Sequence, residues 1–185
     1  MDMSTTKSYP QVFSDEAPRM VRSAAQLLGV RELAGRADNP VIMAWASEVK
    51  HVLDLHDLGY VADSVPWCGL FMAVVALRAG WGADVPLRPL WARSWLEFGS
   101  AVDRPMLGDV LVFGRNGGGH VGVYVGEDAT AYHVLGGNQG DAVTIARVLK
   151  NRLLGARRPE WRVAQPASVR TVLMGATGPL SSNEA

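Results

Sequence analysis

The sequence predicts an α+β domain in which helices come first and an antiparallel β-sheet follows. Two observations carry this expectation. Up to Gly99, apolar residues recur at helical spacing. After the turn-forming stretch RPMLGD, the chain breaks into short runs rich in valine, leucine and aromatic residues, separated by glycine, asparagine and aspartate. Helices followed by strands, rather than alternating with them, favour an antiparallel sheet. A third observation is size: 185 residues with 48% hydrophobic content suit one domain with its own core and leave no room for a second large one.

Residues 1–17 are polar and expected as a flexible N-terminal segment. The domain proper is expected over residues 18–164. Asp15 and Pro18 read as cap and first-turn residues for PRMVRSAAQLLGV, which should stop near Gly29. Asn39-Pro40 is a second start signal, leading into a helix whose buried stripe is Ile42, Trp45, Ala46, Val49, Val52 and Leu53. A third helix should run from near Pro66 to near Gly80; it is apolar nearly all round, as a central, covered helix would be. LWARSWLEFG is expected to form a shorter helix. DVLVFG, HVGVYVGE, AYHVLGG, AVTIARV and LLGARRP are the five expected strands. Residues 165–185, weakly patterned and ending in GPLSSNEA, are expected as a flexible C-terminal tail. No internal repeat is visible.

Composition narrows the function. Eighteen basic and eighteen acidic side chains cancel, so no net field favours nucleic acid or an anionic membrane. The single cysteine forbids an internal disulfide and excludes zinc sites that need two or more cysteines. The first residues lack the basic and apolar regions of a secretory signal, and no stretch approaches the ~20 apolar residues of a membrane span. The expectation is a chain made in the cytoplasm without membrane insertion, which reaches any extracytoplasmic target through another exporter or through lysis.

Cys68 is the most telling residue. It lies in SVPWCGLFMAVVALRAG, where a polar turn runs into an apolar helix. A thiol at the first turn of a helix faces unpaired backbone N–H groups and the positive end of the macrodipole, which favour a nucleophilic thiolate. His120 opens the strand run HVGVYVGE after three glycines. A cysteine leading a helix and a histidine leading a strand are two halves of a cysteine amidohydrolase site. The competing reading is a cysteine that only packs beneath Trp67 and an incidental histidine in a hairpin. The glycine run is not followed by a helix, so a phosphate loop lacks its structural context. His51 and His56, five apart on a helix, point about 140° from each other and do not make a metal pair. Trp67 and Trp95 are candidates for the wall of a substrate cleft. The imidazole needs a third group to fix its tautomer, and both His133 and Asn138 are available.

These residues resemble a family. PWCGLF on a helix, PMLGD before a strand, GGGHVGVYVG and LGGNQ look like a phage-associated branch of the papain-like cell-wall hydrolases, related to the NlpC-type peptidases and to the cysteine, histidine-dependent amidohydrolase/peptidase (CHAP) domains. The resemblance covers roughly residues 19 to 160. It implies a papain-like α+β fold, with the cysteine helix packed on an antiparallel sheet that presents the histidine. It also implies hydrolysis of an amide bond of peptidoglycan stem peptides, by an endopeptidase or an N-acetylmuramoyl-L-alanine amidase, with no metal or other cofactor. Cys68 matches the nucleophile and His120 the general base. For the third group the relatives differ. The NlpC pattern points to His133, whereas in the CHAP pattern Gly136 stands at the approximate place of a glutamate and leaves Asn138. The run LGGNQ favours Asn138. Gln139, with Trp67, is then expected to contact substrate. A phage lysin working with a holin, and a secreted antibacterial effector with its secretion apparatus and immunity protein, both fit such a chain. A non-catalytic binding or structural module of a phage particle on the same fold is the alternative.

Overall fold

Caps and glycines set the helix boundaries. The computed structural model describes residues 3–35, 37–115, 117–161, 163–176 and 180–181. Among the described residues are four α-helices: α1 (Met3–Ser8), α2 (Arg19–Ala25), α3 (Pro40–Val52) and α4 (Cys68–Ala79). The Asn39 side chain accepts the Val41 N–H at 2.8 Å and Pro40 follows at the first helical position, which starts α3 where the sequence indicates. Ile42, Trp45, Ala46 and Val49 are buried, but Val52 is exposed because α3 ends there and the chain turns away. α2 starts at Arg19 behind Pro18, with no side-chain cap, so Asp15 does not fill that role. It is also shorter than its apolar pattern: turns replace it after Ala25 and lead to Gly29, whose φ is 87°.

α4 is the central helix. Every residue from Cys68 to Ala76 is buried, and it packs against α2, α3 and the sheet. Side chains such as Leu70, Phe71 and Met72, fully removed from water, contribute roughly 1.5–3 kcal/mol each. Gly80 ends the helix in the left-handed conformation (φ 95°), and the Trp81 N–H closes on the Ala76 carbonyl at 2.8 Å.

The sheet has six antiparallel strands in the order β1-β6-β2-β3-β4-β5. They are β1 (Ser100–Val102), β2 (Val110–Arg115), β3 (Gly118–Glu127), β4 (Ala131–Gly136), β5 (Thr144–Leu149) and β6 (Leu153–Arg158). Five were expected; β1 is the addition, a three-residue edge strand without alternation to announce it. LWARSWLEFG forms a 3-10 helix over Ala92–Glu97 rather than an α-helix. Alternation sorts the strand side chains onto two faces. Val121, Val123 and Val125 join the core beneath the helices. Leu111, Phe113, Tyr124 and Val134 form a second cluster on the opposite face.

The ends are less loose than their polarity suggests. Tyr9 and Val12 are buried, and Gln11 Nε2 donates to the Val125 carbonyl at 2.7 Å. Val169 is buried, and residues 172–174 run beside the end of β3, with Glu127 N–H donating to Val172 at 2.9 Å and Met174 N–H to Glu127 at 2.8 Å. A few well-placed apolar groups suffice to hold such segments, and they carry no periodic signal. Met1, Asp2, residues 177–179 and 182–185 of the expected flexible ends, and Asn116 of the glycine-rich run, lie outside the described residues.

Candidate active site

Cys68 is the first residue of α4 and is 4% exposed. The ladder between β3 and β4 runs from Val123↔Leu135 to Glu127↔Tyr132, so residues 118–122 have no ladder partner in β4. α4 brings its first residue to this open edge, where the thiol meets the backbone N–H of Val121. Burial pushes the thiol pKa up. The N–H groups of Val121 and Gly69, the charge of Arg115 and the N–H of Cys68 itself pull it back without cancelling the rise. The resting thiol is therefore protonated at neutral pH, rather than the preformed thiolate that its helix-leading position suggested.

His120 immediately precedes Val121 in β3. It is fully buried, pairs across the ladder with Phe113 and stacks on that ring, with centroids 6.4 Å apart. Its Nε2 lies 3.0 Å from Gln139 Oε1. The amide nitrogen of Gln139 donates to the Thr144 carbonyl at 2.7 Å and the Val134 carbonyl at 3.2 Å. Two carbonyls on Nε2 fix the orientation of the amide, so Oε1 must face the imidazole. An amide oxygen only accepts, so His120 carries its proton on Nε2 and keeps a lone pair on Nδ1. This is the tautomer that a general base needs.

The contact expected of Asn138 is thus made by its neighbour. Asn138 sits at φ 57° and is 2% exposed; it does not orient His120. Gln139, expected to touch substrate, is 5% exposed with its amide engaged on both sides. A Cβ at the place of Gly136 would stand 2.9 Å from Gln139 Oε1 and 3.2 Å from His120 Nε2, so a glutamate there would displace the Gln139 amide from the imidazole. His133 belongs elsewhere. Its Nε2 is 3.0 Å from Asp128 Oδ2 and its Nδ1 2.7 Å from the Tyr9 hydroxyl, and Arg147 Nε donates to the same Asp128 oxygen at 2.7 Å.

Trp67 does not line a groove. It is fully buried, its Nε1 donates to Glu32 Oε1 at 2.6 Å, and its ring lies 6.0 Å from that of Trp45. Trp95 is likewise fully buried, with Nε1 donating to the Pro89 carbonyl at 3.0 Å. The exposed indole is Trp91. It follows Leu90, whose carbonyl, with that of Pro89, lies against Gly69 in the first turn of α4. Sequence reasoning also missed Arg115, because nothing in its spacing from Cys68 reveals that β2 carries it toward the thiol. In comparisons with known proteins, the chain matches no protein-family model and no curated protein.

Proposed function

We propose that the protein is a cysteine hydrolase of papain-like type that cleaves an amide bond of peptidoglycan stem peptides. The observation that carries this reading is His120, oriented by Gln139 and adjacent to Val121, whose backbone N–H acts on the Cys68 thiol. The resemblance of its motifs to those of NlpC-type and CHAP enzymes suggests the substrate. His120 Nδ1 takes the thiol proton as Cys68 Sγ attacks the scissile carbonyl, which accounts for a nucleophile that rests protonated. The developing oxyanion lies toward the N–H groups of the first turn of α4. His120 returns the proton to the leaving amine, then activates the water that hydrolyses the thioester. Gln139 holds the imidazole throughout, the part the sequence offered to Asn138 or His133. A phage lysin released through a holin and an antibacterial effector delivered by a secretion apparatus and neutralised by an immunity protein are the two settings for this chemistry.

The near-complete burial of Cys68 is the one observation that favours the second reading, a non-catalytic module of a phage particle. Incubating purified peptidoglycan with wild type and with Cys68→Ala, and analysing the soluble fragments by mass spectrometry, separates them. The hydrolase reading predicts cysteine-dependent release, with the fragment ends naming the bond. Equal release by the two proteins, or none from several wall types, would rule it out.

A further inference from the structure

A cavity of about 410 Å³ opens beside Gly80 and Trp81, where α4 ends, between α2 and the segment that follows β6. Its volume falls within the range of about 300–1,000 Å³ typical of small-ligand sites. Cys68 stands at the other end of α4, roughly 16 Å away at ~1.5 Å of rise per residue. The cavity is therefore separate from the reacting groups.

Its walls are of two kinds. Trp81 and Trp161 meet edge to face, with centroids 5.6 Å apart and planes at 85°, and form an aromatic corner. Trp81 is held in place by its Nε1, which donates to the Glu160 carbonyl at 3.2 Å. Exposed charges surround this corner. Arg19 and Arg22 lie one turn apart on α2, and Arg19 Nη1 reaches to 3.6 Å from where a Cβ on Gly80 would stand. Asp15, which caps nothing at the start of α2, and Glu16 bring carboxylates to the same space. Neither arginine and neither carboxylate is ion-paired among the described residues. Opposite charges thus line one cavity without neutralising each other.

Building on the hydrolase reading, we infer that this cavity is a second, non-catalytic binding site for zwitterionic peptides, the class to which wall stem peptides with a free amine belong. Carboxylates of the peptide pair with Arg19 and Arg22, its amine pairs with Asp15 and Glu16, and the hydrocarbon between them lies in the indole corner. A chain held through one stem stays on the wall while Cys68 reaches another, which raises the effective concentration of substrate.

Hydrogen–deuterium exchange on Cys68→Ala, with soluble stem peptides released from purified peptidoglycan, tests this. Residues 15–22 and 79–81 should become protected. The peptide concentration that gives half of this protection should rise about tenfold or more when Arg19→Gln and Arg22→Gln are added. It should rise similarly when the amine of the peptide is acetylated, a change that leaves the protein unaltered and so cannot act through folding. Protection confined to residues near Cys68 and His120 overturns the inference and leaves the hydrolase reading intact. Protection of the cavity that survives both changes also overturns it, because charge would not then select the ligand. Absence of protection everywhere overturns it as well, and the hydrolase reading falls with it only if the wild type fails to cleave peptidoglycan.

Discussion

Because the Gln139 nitrogen already donates to Thr144 and Val134, substitutions at this residue separate orientation from stability. Gln139→Ala removes the acceptor that keeps the proton on His120 Nε2, and turnover should fall about a hundredfold or more, as when a general base loses its alignment. Gln139→Glu keeps an acceptor but sets a carboxylate against two carbonyl oxygens, so it should also cost roughly 1–3 kcal/mol of stability. Kinetics on stem peptides and urea melts of both variants check this; an Ala variant with wild-type turnover would remove Gln139 from the site. The residue scale is also where the sequence was least legible. LGGNQG plainly offered two amides, but which one turns toward β3 depends on the left-handed backbone of Asn138, and no spacing expresses that. Cys68 could be singled out because it leads α4, and His120 because it heads the apolar run, although β3 itself begins two residues earlier, at Gly118. Burial of the thiol could not, since it arises from segments distant in sequence.

At the scale of elements, the site depends on how closely α4 approaches its neighbours. Gly69 is the second residue of α4, and a Cβ there would strike the backbone carbonyls of Pro89 and Leu90. Neither obstacle is a flexible side chain, so Gly69→Ala must displace the first turn of the helix or the loop against it. The expected loss is about 1–3 kcal/mol, with the proposed wall cleavage falling further because Cys68 moves with that turn. Parallel melting and cleavage assays check this, and a variant that keeps both properties would show that the contact can yield. α3 and α4 were legible because Asn39-Pro40 and Gly80 mark them chemically. The 3-10 helix over Ala92–Glu97 and strand β1 were not. Trp95 is fixed by a bond to Pro89, and β1 is held by pairing with β6. Both are tertiary effects that override local pattern.

For the whole molecule, the second buried histidine ties the N-terminal segment to the sheet and sets the response to acid. Burial, first of all, holds the His133 imidazole below its ordinary value of 6.5 despite the Asp128 carboxylate. The Arg147 guanidinium beside Asp128 holds that carboxyl well below its ordinary 3.8. Both folded values are depressed, so each group contributes its full stability above the unfolded value and loses it as pH falls toward the folded one. Stability should therefore decline first as pH drops below 6.5, through His133, and again below 3.8, through Asp128. Urea unfolding across that range should show a weaker first decline in His133→Gln, whatever its stability at neutral pH. A wild type equally stable at pH 7 and pH 5 would contradict the assignment, given the ~1 kcal/mol that accompanies each unit of pKa difference. The α+β class and the order of helices and strands were legible from periodicity alone. That Tyr9 would reach His133 was not, since contacts of such separation leave no local trace.

The proposed reaction passes through a thioester between Cys68 and the acyl part of the wall peptide. Adding hydroxylamine during digestion of peptidoglycan tests this directly, because hydroxylamine competes with water for an acyl-enzyme whether or not that species accumulates. Fragments ending in a hydroxamate, identified by mass, are expected with wild type and none with Cys68→Ala. Fragments ending only in carboxylate at every hydroxylamine concentration would contradict it, since water would then be attacking the amide without a thioester.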